Sequence, residues 1–540
     1  MKCEVVVVGG GIAGLTAAAY LVKSGKSVIL FEKQAKTGGL VQTFERNGVY
    51  FDAGLRSVEN SGIVFPMLKQ LGIDIEFKRS IVTIGIADRV MEVRDKSSLA
   101  EYEAFLQSFF PENSADVTSI IKEIRKIMGF MDVLYGIDNP AFMDIPQNKK
   151  FLFKELLPWM FKFLVTIGKI RKLNEPVEEY LRRFTGNQAL IDMIAQHFFQ
   201  KTPTSFALSY FSLYLDYFYP NGGTATVTDR IAEYIEVKGG VIKTDTIIAG
   251  IHPEKKYVED SNGIRYEYDH LVWACDMKQL YNSILLEELH SPELSQKVKQ
   301  KRAELKDLEG SDSVFTVYLT VEESKEHFSK ICTGHFFYTP DPRGLSIVSK
   351  QEIDWFIKDH TIKQDDVTWK NKVGQYIRDY FRLNTFEIAI PALRDADMAP
   401  EGKTGVVVSL LYDFKLARKI DELGWTPEMK NLMENITVEI LDEFIFPGLK
   451  SKVLEKFSSS PLTIQKLTSN TDGAITGWAF TNAFMPSVNH MLHVAKSVLT
   501  PIPGVFQAGQ WVYSPAGLPI SILTGKLAAD KVLKSKKGNG

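Results

Sequence analysis

The stretch EVVVVGGGIAG at residues 4–14 restricts this chain more than any other. Its valines form a β-branched run that stops at glycines, IAGLTAAAYLVKSG continues with helical spacing to Gly25, and SVILFEK supplies a second buried strand. Strand, glycine turn, helix and strand make the βαβ unit of a doubly wound parallel sheet. Within it the glycines read Gly9-x-Gly11-x-x-Gly14, and Glu32 closes the second strand 18 residues beyond Gly14. The first glycine makes the tight turn, the second lets backbone approach a pyrophosphate, and the third lets helix and strand pack closely. Helix-start amides at Ile12 and Ala13 then face the phosphates, and Glu32 accepts from ribose hydroxyls. A glycine turn without a ligand is the plainer alternative, but strand, helix and acid all stand where a dinucleotide needs them. Glu32 also repels a 2′-phosphate, which disfavours NADP.

With 540 residues, 45% of them hydrophobic and 24% charged, the chain has material for two or three cores. A net charge of -2 argues against nucleic acid as a partner. Three scattered cysteines, Cys3, Cys275 and Cys332, suit neither a disulfide framework nor a metal cluster and fit a reducing compartment. The first strand begins almost at once, so no signal peptide is expected, and no apolar run reaches the ~18 residues of a spanning helix. His490 and His493 have an i, i+3 spacing with no third ligand in view, so no metal is predicted.

A second glycine pair, Gly38-Gly39, follows in EKQAKTGGLVQTFERNGVYFDAG, which ends on Gly54. This segment resembles the N-terminal signature of the FAD-dependent phytoene desaturase, carotenoid isomerase and retinol saturase family, within the amine-oxidase-like flavoproteins. The resemblance implies non-covalent FAD, with contacts on Gly38, Gly39, Leu40, Gly54, Leu55 and Arg56 as well as the opening motif. In that family an arginine commonly follows the glycine pair; Leu40 replaces it here, which leaves its task near the pyrophosphate to Lys33 or Lys36. YPNGGTATVTDRIAEYIEVKGGVIKTDTIIAGI (219–251) is similar to the second signature, with the adenine-contacting aliphatic on Ile248. Segments 460–480 and AGQWVYSPAGLPISILTGKLAADKVL (508–533) correspond to the C-terminal signature. There Gly509, Gln510, Gly517, Leu518 and Pro519 meet the flavin, and Pro519 opens a helix whose dipole faces the ring. The family usually has Asp where Gln510 stands, so retained FAD with altered affinity or potential is expected.

The implied fold class is α/β: a doubly wound Rossmann-type FAD-binding domain (1–80, 219–285, 460–540) interleaved with a mixed α+β substrate domain (81–218, 286–459). No second GxGxxG occurs, so electrons are expected to pass to or from a quinone, oxygen or a separate reductase. The implied function is a redox, saturase or isomerase reaction on carbon-carbon bonds of a long apolar unsaturated lipid. An unsaturated fatty-acid isomerase or reductase, a flavin amine oxidase and a non-enzymatic prenyl-binding escort remain as alternatives.

The resemblance brings Arg56 and Glu59 close to the flavin ring, with Arg56 orienting a polar substrate end or stabilising reduced flavin. The alternative is an Arg56–Glu59 salt bridge outside turnover. Phe206, Tyr210, Tyr214 and Tyr217 fall at helical spacing and line either a substrate tunnel or an ordinary helix core. Trp478 and Trp511 are expected as further substrate contacts. Residues 149–172, KKFLFKELLPWMFKFLVTIGKIRK, mix aromatic and aliphatic residues with seven cations and one acid, the composition of an interfacial helix pair. Pro158 is expected to break or kink that helix midway. A peripheral protein on the cytoplasmic face of a membrane follows from that segment.

Overall fold

The valines that open the sequence are wholly buried in strand Lys2–Val8. In the computed structural model, which describes residues 2–143 and 156–535, this strand lies at the centre of a seven-stranded sheet. Val28–Phe31 and Arg265–Trp273 flank it in parallel, and Val241–Lys243 extends the sheet beyond Val28–Phe31. Arg265–Trp273 is long enough to serve two neighbours. Its end pairs in parallel with Val505–Gln507, and its beginning pairs antiparallel with Tyr257–Asp260, beside Ile248–His252. Helices Ile12–Lys23, Ala225–Val237 and Leu518–Ser535 bury their apolar faces in one core with the central strands.

A second seven-stranded sheet draws every strand from other parts of the chain. It runs Val453–Ser459, Ser313–Val321, Thr404–Tyr412, Phe386–Ala389, His335–Thr339, Val82–Ile86 and Arg89–Val93. Its neighbours are antiparallel apart from His335–Thr339 with Val82–Ile86. Helices Ser98–Phe109 and Ser114–Leu134 share a core with the edge of this sheet at Val82 and Ile86.

Pro158 is the second residue of helix Leu157–Ile170; residues 149–155, on which the expected mid-helix kink also depends, lie outside the described residues. One expectation changes: the aromatic series does not continue as one helix. Short helices Thr204–Ala207 and Tyr210–Tyr214 are followed by strand Tyr217–Pro220, so Tyr217 is a strand residue.

That strand joins Val58–Glu59 and Phe77–Arg79 in a small three-stranded sheet. Beside it Asp52 is completely buried and accepts four hydrogen bonds, from Thr43 Oγ1 (2.7 Å), Thr224 N and Oγ1 (both 2.9 Å) and Tyr219 Oη (2.8 Å). Arg394 approaches the same carboxylate at 3.9 Å and stacks on Tyr219. Asp52→Ala leaves these donors unpaired in the core, and the expected loss is about 3–5 kcal/mol, as for one partner removed from a buried ion pair. Urea unfolding against wild type measures it.

Candidate functional site

One cavity of about 1960 Å³ runs between the two sheets. Single ligand pockets usually enclose about 300–1,000 Å³, so this space exceeds what one small ligand needs. At one end it meets the turn after strand Lys2–Val8. Gly9 has φ +103°, and a Cβ there would strike Cys275 Sγ and the Ala274 carbonyl. A Cβ on Gly14 would collide with the Gly9 carbonyl oxygen, so this glycine sets the approach of helix to strand and lies behind the wall. Gly11 differs from both, since nothing lies within 4 Å of the place a Cβ would take. The helix that follows has no side-chain cap and no acid in its first turn, so its amides at Ile12 and Ala13 open onto that space.

Glu32 holds the rim. Its Oε2 accepts from Gly10 N and its Oε1 from Gln34 N, each at 2.8 Å, which fixes the carboxylate and leaves further lone pairs for hydroxyls. Gly38 and Gly39, both at positive φ, close over Gly11, and Gly54 fits against the Leu40 carbonyl with no room for a side chain. Ile248, Leu55, Gln510, Gly517, Leu518 and Pro519 line the same space. Gly509, at φ +99°, donates to Thr524 Oγ1 (3.0 Å), tying the crossing segment to helix Leu518–Ser535. Lys33 donates to Lys466 O (2.9 Å) and Ser469 Oγ (2.6 Å), so its ammonium braces the rim. These features fit FAD: uncapped amides and an open Gly11 for the pyrophosphate, Glu32 for the ribose, and Gly509 to Pro519 for the ring system.

Beyond Pro519 the wall changes character. Arg56 forms no pair with Glu59; it donates to the Asp52 carbonyl and to Ser409 Oγ (2.7 Å). Glu59 bonds Ser61, and burial pushes its carboxyl up to about 7, with Asp216 adding to the rise. Phe206, Tyr210 and Tyr217 stand on the wall. Tyr214 turns away toward a small neighbouring cleft with Tyr102, and its hydroxyl meets His197 Nε2 at 3.4 Å. Trp511 reaches the cavity, whereas Trp478 is packed edge-on behind it and donates to its carbonyl. The two tryptophans form a wall and its backing, so Trp478 does not meet a ligand.

A polar chain at this end has no counterpart among the sequence motifs. Ser57 Oγ lies 2.9 Å from His335 Nδ1, and His335 Nε2 lies 2.9 Å from Glu387 Oε1. His335 also stacks on Tyr217 at 5.3 Å. The one available signal was a lone His and a lone Glu in otherwise apolar strands, HFFYT and FEIA. Among the described residues no group of three or more His, Cys, Asp or Glu could hold a metal ion.

The description of flavin containing amine oxidoreductases fits residues 12–338, more than half the sequence. The chain belongs to that family. It is an FAD-dependent oxidoreductase. Its curated relatives include the 4,4'-diapophytoene desaturase (4,4'-diaponeurosporene-forming) of Staphylococcus aureus strain bovine RF122 / ET3-1, 20% identical over 98% of this chain and 99% of that one. Solved structures with the same fold include cyclohexylamine oxidase from Brevibacterium oxydans IH-35A (TM-score 0.55, 13% identity, 99% and 100% coverage). A putative protoporphyrinogen oxidase from Exiguobacterium sp. 255-15 is another (TM-score 0.53, 15% identity, 98% and 99% coverage).

Two outcomes test the site. Gly11→Ala is expected to leave the melting temperature of the FAD-free protein unchanged while weakening FAD binding at least tenfold; Gly14→Ala is expected to destabilise the FAD-free protein itself. Thermal melts and FAD titrations of both variants separate the roles. For Glu59, the unfolded carboxyl ionises near 4.5 while the folded one keeps its proton up to about 7. Stability therefore falls as pH rises through that window. Relative to wild type, Glu59→Gln should gain at most about 3 kcal/mol between about pH 5 and pH 8. Urea unfolding at both pH values measures the gain, and an equal difference at both would overturn burial as the cause.

Proposed function

We propose that the protein desaturates carbon-carbon bonds of a long, apolar polyisoprenoid that it draws from a membrane surface. The observation that carries this reading is the continuity of the cavity. One space joins the dinucleotide cradle to a chamber walled by Tyr210, Tyr217, Phe337, Leu213, Trp159 and Phe163. Bound FAD supplies a two-electron acceptor for hydride. The protein's part is to hold an extended chain along those rings, keep water away and fix one CH–CH pair beside the polar end. Arg56, the cation that a fatty-acid carboxylate would seek, already bonds the Asp52 carbonyl and Ser409. The desaturase name of the Staphylococcus relative supports the same substrate class.

Exposed Arg171, Asn174 and Asn489 line the far end, so the space opens beside helix Leu157–Ile170. That helix turns Leu157, Met160, Phe161, Leu164 and Val165 outward, with Phe161 73% exposed. Phe484 and Leu492 are exposed on the facing segment, whose His490 feels the charge of Arg171. Lys162, Lys169, Arg171 and Lys172 complete an apolar and cationic rim suited to an anionic bilayer. No described helix is long and apolar enough to cross a membrane.

The test is anaerobic mixing of the purified yellow protein with 4,4'-diapophytoene carried in phosphatidylglycerol vesicles. Loss of the oxidised-flavin absorbance is expected, with a more unsaturated product, and Phe161→Ser should weaken vesicle binding about tenfold in flotation. Bleaching by cyclohexylamine but not by the polyene would overturn the reading in favour of an amine oxidase.

A further inference from the structure

Glu387 comes from strand Phe386–Ala389 and His335 from strand His335–Thr339. Their antiparallel register sets Glu387 opposite Phe337 and His335 opposite Ala389, so the two side chains lie diagonally on one face. That face is the cavity wall. His335 is sealed, with its side chain 2% exposed, whereas Glu387 keeps 36% of its side-chain exposure. The open space it faces is the cavity. Oε1 takes the bond from His335, and Oε2 has no hydrogen-bond partner among the described residues.

The hydrogen bonds fix the proton positions. Burial alone would raise Glu387, but the bond from His335 and the charges of Arg56 and Arg394 hold its carboxyl below the usual range. His335 is lowered by burial, so the ring is neutral at neutral pH. An ionised carboxylate can only accept, so Nε2 carries the proton and Nδ1 accepts from the Ser57 hydroxyl. Ser57 Oγ in turn lies 3.2 Å from Arg394 Nη1 and 3.1 Å from Ser80 Oγ. This order is the reverse of a hydrolytic triad, where the serine would face the ligand and the acid would stand behind. Here the acid is the member exposed to the cavity, and the buried serine anchors the ring from behind.

We propose that Glu387 Oε2 is the base that takes the proton from substrate carbon, with His335 and Ser57 as positioning residues. The proposal rests on the desaturation reading above. FAD held in the glycine cradle would supply the acceptor for hydride, taken with both bonding electrons from one carbon of a CH–CH pair. The neighbouring C–H bond breaks, its electron pair becomes the new π bond, and its proton goes to Glu387. Electrons then leave to a quinone or to oxygen, and the proton to solvent. Glu59 supports the assignment: two carboxyls line the same cavity, and their surroundings push one down and the other up, the pattern that separates a base from an acid.

The test compares wild type, Glu387→Gln, Glu387→Asp and His335→Gln as FAD-loaded proteins. In protein labelled with ¹⁵N-histidine and free of substrate, His335 is expected as the Nε2–H tautomer, and Glu387→Gln should weaken that preference. With 4,4'-diapophytoene in phosphatidylglycerol vesicles, anaerobic flavin reduction should slow on the order of 100-fold or more in Glu387→Gln. FAD binding should stay unchanged. Glu387→Asp should recover part of the rate, and His335→Gln, whose amide still donates, should lose less than Glu387→Gln. An Nδ1–H tautomer in wild type, or a Glu387→Gln rate equal to wild type, overturns the proposal. If wild type itself is not reduced by the polyene, the desaturation reading fails and this assignment falls with it.

Discussion

The completely buried carboxylate of Asp52 holds both halves of the molecule in register. Its oxygens satisfy Thr43 beyond the second glycine pair and Tyr219 and Thr224 at the middle segment, while Arg394 reaches it from the turn that follows strand Phe386–Ala389. Its own carbonyl accepts from Arg56, whose other end is bonded to Ser409 on strand Thr404–Tyr412. A buried charge with so many partners tolerates little displacement, because each lost donor leaves an unpaired polar group in the core. The cavity therefore has one rigid floor under both its cofactor end and its substrate end.

From that floor the two ends diverge in chemistry. The dinucleotide end works through backbone: amides at a helix start, a glycine with open space beside it, and an acid locked by two amide donors. The substrate end works through side chains, with rings along the wall and a small cluster of charges where the Asp52 floor meets the sheet. Arg56 and Arg394 stand near Glu387 and Asp52, so the cluster balances its charge without needing a ligand to do so. An uncharged hydrocarbon can occupy such a site without stranding an ion.

Backbone demands are local in sequence, and this is why the cofactor half was legible. Gly9, Gly11, Gly14 and Glu32 lie within one βαβ unit, and each meets a steric or hydrogen-bonding need that its spacing already states. Side-chain clusters assembled across strands leave no such trace. His335 and Glu387 are 52 positions apart and meet through strand register. The aromatic series was misread for a related reason: its spacing fits a helix, but the chain passes through Leu215 and Asp216 into a strand, which turns Tyr214 away and keeps Tyr217 at the wall. Trp478 likewise read as a contact because only packing reveals which of two neighbouring tryptophans stands in front.

Helix Leu518–Ser535 packs so closely on helix Ile12–Lys23 that a Cβ on Gly525 would strike the Ala13 carbonyl. The first and last helices of the described chain are thus one structural unit. On the ribosome the glycine turn emerges about 500 residues before the wall that completes its site. A nascent chain must keep its opening strand, helix and strand without their final neighbour while some 500 residues are made, at roughly 5–20 residues per second. FAD capture by the complete cradle then has to wait for that last helix, so cofactor supply acts on the joined helices rather than on the opening βαβ unit alone.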